Sequence, residues 1–191
     1  MPTDNDRLIE MLERQLPKTD AVVANITPDQ LSLPTPCTEW NVENVLDHLI
    51  GGCITMGSAA RGEKSGAIGE PGNVGDDHVA SFRKAAAEAQ DAYRSADLDT
   101  PFEFPWGQTP SDMALHLALA DLTIHGWDLA TATGQTFEPD EDIAEEIYGF
   151  VTGMMVPKGK MPRGDNFKDP IEVGDDAGAT ERLLGYLGRQ P

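Results

Sequence analysis

Residues 111–134 read SDMALHLALADLTIHGWDLATATG, which is the longest helical pattern of the chain. The stretch begins with a serine, continues as a run rich in Ala and Leu, and ends with a glycine, which are the start, interior and stop signals of an α-helix. We therefore predict one helix over the whole stretch. Its apolar residues Leu117, Ala118, Leu122 and Leu129 mark the side that faces the protein interior.

Three acidic or imidazole side chains share one face of this helix. Asp121 and His125 are four residues apart, so at about 100° per residue they lie one above the other. Asp128 falls on the same face. Because an isolated buried charge is costly, this group needs a partner. A divalent metal ion is one such partner, and a polar residue on a second helix is another.

A second helix is predicted from about residue 41 to residue 60, and it carries a further candidate ligand. Val45, Leu49 and Cys53 form its apolar stripe, and His48 lies beside that stripe. If the two helices pack together, His48 meets Asp121 and His125. The alternative is a structural role without a metal. Asp121 and His125 would then form a hydrogen-bonded pair in the core, and His48 would make its hydrogen bonds to a neighbouring helix. The spacing alone leaves both interpretations open.

Two imidazoles and one carboxylate, with a water molecule as the fourth ligand, are typical of a catalytic metal site, because one position stays exchangeable. A metal in such a site lowers the pKa of the water or thiol that it binds. Zinc and nickel both suit imidazole-rich sites. For Asp128 we consider two roles, as a fourth ligand or as a hydrogen-bond partner that orients His48.

The rest of the chain is also mostly helical. Apolar periodicity predicts further helices at residues 4–25, where Pro17 interrupts the pattern, and at 77–97, 140–154 and 180–189. The segments between them are rich in Gly, Pro and charge and are predicted as loops, at residues 61–76, 97–110 (a crossover or a short hairpin) and 156–174. We predict an all-α protein, a single domain over residues 1–191 built as a four-helix bundle with extra short helices.

Composition excludes several classes of function. The 191 residues include 14 Lys and Arg against 33 Asp and Glu, a formal charge of −19, so we expect no binding to nucleic acid or to anionic membranes. Neither a signal peptide nor an apolar run of membrane-spanning length is present. Two cysteines do not make a disulfide framework. A soluble, cytoplasmic protein is expected.

The two thiols have competing interpretations. Cys37 lies in a proline-rich connector near the start of the second helix, where a helix N-terminus would lower its pKa. The structural alternative is a half-buried thiol without reactivity. Cys53 is predicted to pack as a small apolar residue. Trp40 also has two possible roles, either packing in the core or contacting a substrate with its ring.

Three motifs together resemble a known family. They are PTPCTEW at 34–40, DHLIGG at 47–52 and HGWDLA at 125–130. The chain resembles the actinobacterial metal-binding branch of the DinB/YfiT-like superfamily, which is related to the N-terminal domain of mycothiol-dependent maleylpyruvate isomerase. The resemblance implies a four-helix bundle with a divalent metal near one end. Its ligands would be His48, Asp121 and His125, with Asp121 binding directly or through water.

The resemblance and the candidate ligands lead to one main functional hypothesis. A metal-dependent transferase would bind a low-molecular-weight thiol, mycothiol, and activate it for attack on an electrophile. A large C-terminal domain of the isomerase kind is not expected here, so isomerase activity itself is not inferred. The alternatives are a non-catalytic metal- or ligand-binding bundle of stress response and a metal-dependent hydrolase. Apolar stripes on the first and third helices would also fit a homodimer.

Overall fold

A computed structural model describes residues 3–155 and 168–190 of the chain. The elements, in chain order, are helices α1, α2 and α3, the two strands β1 and β2, and helices α4, α5 and α6. Their bounds are Asp4–Ala24, Val42–Ala60 and His78–Ser95 for α1 to α3, Phe102–Phe104 and Gly107–Thr109 for β1 and β2, and Ser111–Thr133, Glu141–Phe150 and Ala179–Tyr186 for α4 to α6. A 3-10 turn at Pro28–Gln30 and a π-helical turn at Val151–Met155 complete the set.

Four long helices form the bundle that the sequence predicts. Helix α1 packs against α3 and α4, and α2 packs against the same two helices, so the four surround a common core. Helices α5 and α6 pack on each other, and α5 also contacts α4. The mostly α-helical, DinB-like fold is therefore confirmed. The proposal that residues 1–191 form a single domain stays a prediction.

Local signals explain where the main helices begin and end. Asn41 caps α2 by accepting a hydrogen bond from the backbone N–H of Asn44 over 2.9 Å, which satisfies an otherwise unpaired donor of the first turn. Gly134 ends α4 with φ at 71°, a left-handed conformation that favours glycine. Both ends agree with the predicted helices to within one residue, so the stretch that carries Asp121 and His125 is one rigid rod.

Pro17 does not divide the first helix, which runs continuously from Asp4 to Ala24. The residue is exposed, so the carbonyl of Glu13, which loses its usual donor, can be hydrated on the outer side of the helix.

The 97–110 segment forms a short hairpin, which is one of the two predicted alternatives. Its strands β1 and β2 are antiparallel, with Phe102 opposite Thr109. The predicted 156–174 loop lies mostly outside the described residues. Among those residues no helix combines the length and apolarity that crossing a membrane requires.

Candidate metal centre

The structure brings His48, Asp121 and His125 together. One potential ligand atom from each lies within 4.8 Å of those of the other two. The imidazole rings of His48 and His125 meet edge to face with centroids 5.1 Å apart and an interplanar angle of 78°. Helix α2 supplies the first residue and α4 the other two, as the four-residue spacing predicts.

The geometry suits a small dication. Bonds of 2.0–2.2 Å to a tetrahedral ion place two donor atoms about 3.4 Å apart. The distance from Nε2 of His48 to Oδ2 of Asp121 is 3.5 Å, so this pair already has that separation. The site is also open on one side, because the side chains of His48 and Asp121 are 19% and 31% exposed. The donor set and spacing therefore fit an ion with an exchangeable position.

Asp128 lies behind the cluster and contacts His125. Its Oδ2 is 3.0 Å from Nδ1 of His125. This contact occupies Nδ1 and leaves the other ring nitrogen, Nε2, available to a metal ion. Asp128 itself is fully buried. Of the two roles considered for this residue, the contacts favour the one that orients a histidine. The histidine that Asp128 contacts is His125, three residues before it on the same helix, and not the predicted His48.

Arg189, near the C-terminus, completes this arrangement and was missed in the sequence. Its Nε and Nη2 donate to Oδ1 and Oδ2 of Asp128 over 2.8 and 2.7 Å. The left-handed Gly188 (φ 75°) ends α6, and the backbone N–H of Arg189 then donates to the carbonyl of Leu184 over 2.9 Å. Arg189 is 3% exposed. The sequence shows only an arginine directly after a glycine that ends a helix. Nothing near Arg189 in the sequence indicates that its partner is Asp128, 61 residues earlier.

Both carboxylates of the site are ionised in this environment. Burial by itself would raise the pKa of Asp121, but the contact with His48 and the charges of His48 and His125 bring the pKa below its ordinary value. Burial also acts to raise the pKa of Asp128. The hydrogen bonds from Arg189 and with His125 have the larger effect, so the pKa lies below its ordinary value. An ionised carboxylate is the form that binds a metal or holds an imidazole N–H.

The two thiols are not activated. Burial raises the pKa of the Cys37 thiol, and Cys37 is 3% exposed, so the structural interpretation of this residue is favoured. Burial and the nearby Asp121 carboxylate raise the pKa of Cys53 to about 12. Neither sulfur is a thiolate at neutral pH, so neither is a candidate nucleophile.

The proline-rich connector places an aromatic ring against both histidines. The Trp40 ring centroid lies 4.8 Å from that of His48 and 5.8 Å from that of His125. Its backbone is held in a tight turn, because Trp40 N–H donates to the Cys37 carbonyl over 2.8 Å and its own carbonyl accepts from the Thr35 hydroxyl over 2.7 Å. Trp40 thus forms one wall of the cluster.

The 61–76 loop packs against α2 and forms another wall of the cluster. Asp47 accepts hydrogen bonds from the backbone N–H groups of Gly72 (3.1 Å) and Val74 (3.0 Å), which fastens the loop beside His48. Gly51 allows the approach, since a Cβ there would lie 2.6 Å from the Ala67 carbonyl oxygen. Gly52 faces both Asp121 Oδ2 and the Ile68 side chain. The loop therefore borders the cluster.

Comparison with known proteins places this site in a family context. The family model described as the mycothiol maleylpyruvate isomerase N-terminal domain matches residues 12–130, which include all three cluster residues. Two uncharacterized proteins of Mycobacterium tuberculosis, from two strains, are 31% identical over 170 residues, covering 88% of this chain and 90% of theirs.

Two solved structures share this fold. The crystal structure of the mycothiol-dependent maleylpyruvate isomerase matches with a TM-score of 0.60 and 14% identity, covering 80% of this chain and 72% of the other. A mutant of that enzyme with one histidine replaced by alanine matches with a TM-score of 0.59. At this identity the structures speak for the fold. The family model spans more than half of the chain, and we conclude that this protein belongs to the family of the mycothiol maleylpyruvate isomerase N-terminal domain.

Proposed function

We propose that this protein is a divalent-metal-binding enzyme that transfers a low-molecular-weight thiol, mycothiol, to an electrophile. His48, Asp121 and His125 would hold zinc or nickel, and Asp128 would orient His125. The observation that carries the proposal is the close approach of these three donors, within 4.8 Å of one another, inside the segment matched to a family whose name includes mycothiol.

The protein's own residues would prepare the site in two ways. Asp128, held by Arg189, keeps the imidazole of His125 in one orientation, so the cluster needs little rearrangement to bind an ion. The partly exposed faces of His48 and Asp121 leave room for a reactant from solvent. The metal, when bound, would lower the pKa of a coordinated thiol and so raise the fraction of thiolate at neutral pH.

The proposed reaction has a simple balance. The thiol loses its proton to solvent, and its sulfur forms a bond to an electrophilic carbon of the second substrate. That carbon releases a leaving group or opens a double bond, in which case a proton is taken up at the neighbouring carbon. No oxidant or reductant is required. Burial raises the pKa of both Cys37 and Cys53, which supports an external thiol as the source of the thiolate.

The test uses full-length protein purified without an affinity tag and analysed for metal. Zinc- and nickel-loaded samples are incubated with mycothiol and a panel of electrophiles. The matched variants are His48→Ala and His116→Ala: His116 contacts Glu146 over 2.9 Å and is not part of the cluster. We expect metal binding and thiol transfer to fall by orders of magnitude in His48→Ala and to persist in His116→Ala.

Other outcomes would redirect the assignment. Metal-dependent product formation without mycothiol would favour the hydrolase. Stoichiometric metal with no reaction above the His48→Ala level would favour a non-catalytic metal-binding bundle. Equal metal content in wild type and His48→Ala would rule out the proposed ligand set.

A further inference from the structure

A small apolar cavity lies between helices α1, α2, α3 and α4, directly beside the cluster. Its volume is about 30 Å³. Most of its lining is aliphatic, with Leu49, Met56, Ala118 and Leu122 among the residues that form it. One water needs about 10–15 Å³ on such a measure, so the space holds two to three atoms of that size. Apolar cavities of this kind stay dry and accept apolar groups.

One charged residue borders this otherwise apolar cavity. Asp121 is the only charged residue among the described residues that line it, and the same carboxylate belongs to the metal cluster. Gln90 and Tyr93 also line the cavity. A ligand with a hydrogen-bond donor at the Asp121 end would pair with that carboxylate.

We propose that this cavity binds a small amphipathic ligand with an apolar group of two to three carbon atoms and its polar end at Asp121. Resting on the proposed function, the ligand is the electrophilic second substrate, whose reacting carbon would then adjoin the cluster. Mycothiol does not suit the cavity, because a space for two to three atoms is too small to hold the thiol. The thiol would approach instead from the exposed side of His48 and Asp121.

Gly52 allows the cavity to be narrowed without a clash. A Cβ at this position would lie 3.7 Å from Oδ2 of Asp121 and 4.0 Å from Cδ1 of Ile68, both ordinary van der Waals distances. Alanine is a better helix former than glycine, so loss of folding would not explain an effect of Gly52→Ala. Gly149→Ala is the matched control, since it makes the same change in helix α5, where a Cβ would meet nothing within 4 Å.

The experiment uses metal-free protein with ¹³C-labelled methionine methyl groups, so that it depends on neither metal nor thiol. Met56 lines the cavity and reports occupancy. The probes are the linear alcohols from methanol to 1-pentanol, with tert-butanol, whose compact apolar group has four carbons, as the oversized control. We expect a saturable shift of the Met56 resonance and an affinity that rises about fourfold per methylene up to three carbons and then levels off. Binding should weaken several-fold in Gly52→Ala and stay unchanged in Gly149→Ala.

Three results would overturn the inference: no saturable shift at Met56, an equal shift with tert-butanol, or equal binding by wild type and Gly52→Ala. The inference and the proposed function can fail separately. Alcohol binding without thiol transfer would leave the cavity as a ligand site and reject the transferase. Thiol transfer without alcohol binding would retain the enzyme and reject this cavity as its substrate site.

Discussion

Arg189 donates to both carboxylate oxygens of Asp128, over 2.8 and 2.7 Å, in the protein interior. The two residues are 3% and 0% exposed, so this is a buried, two-point ion pair. Asp128 in turn contacts Nδ1 of His125 at 3.0 Å. A residue near the C-terminus thereby sets the orientation of a candidate metal ligand on α4.

Replacing Arg189 with methionine should destabilise the fold by about 3–5 kcal/mol, because it leaves the Asp128 charge buried without its partner. Urea unfolding of metal-free protein measures the change. The control is Arg83→Met, which removes an exposed pair with Asp20 (2.7 Å, side chains 57% and 28% exposed) and should cost less than about 1 kcal/mol. Similar losses in the two variants would contradict the structural role of the buried pair.

Asp128→Asn should weaken metal binding by about 10–100-fold, which is the usual effect of removing the carboxylate that orients a ligating histidine. Competition with a chromophoric zinc chelator gives the affinity, and circular dichroism checks that the variant is folded. Asp20→Asn serves as the control, since Asp20 pairs with Arg83 at the surface and should not change metal affinity. An unchanged affinity in Asp128→Asn would remove Asp128 from the proposed site.

The Asp128 carboxylate should also make stability depend on pH in acid. Burial acts to raise the pKa of Asp128, but the hydrogen bonds to Arg189 and His125 lower it overall. Because the folded pKa lies below the unfolded value of about 3.9, the stabilisation is complete above that value and is lost as the pH falls through the folded pKa. The stability difference between wild type and Asp128→Asn, from urea unfolding of metal-free protein, should be present at about pH 5 and shrink below about pH 4. A difference that persists undiminished in stronger acid would contradict this expectation.

Gly51→Ala should loosen the 61–76 loop. A Cβ at Gly51 would lie 2.6 Å from the Ala67 carbonyl oxygen and 2.8 Å from Nδ2 of Asn73, and backbone at such a distance must move. We expect a loss of about 1–3 kcal/mol, reduced by the better helix propensity of alanine, and faster hydrogen exchange across residues 61–76. Gly149→Ala is again the control. Unchanged exchange in the loop would show that its contact with α2 is not tight.

The sequence by itself determined the helical periodicity and part of the site. Helix α4 was predictable from its start and stop residues, and a four-residue spacing on a helix puts Asp121 and His125 on one face whatever surrounds them. The proximity of His48 was a hypothesis from helix packing, and the resemblance to a known family strengthened it. The features of α4 depend on local helix geometry, which repeats every 3.6 residues and can therefore be recognised from the order of residues in the sequence.

Only the tertiary structure decided the partners that come from elsewhere in the chain. Arg189 reaches Asp128, Trp40 lies against both imidazoles, and the 61–76 loop packs on Gly51, although no spacing relates these residues. The cavity between the four helices is likewise a property of how their faces fit together. Such contacts depend on the three-dimensional path of the chain and on side-chain volumes, which a one-dimensional pattern does not encode.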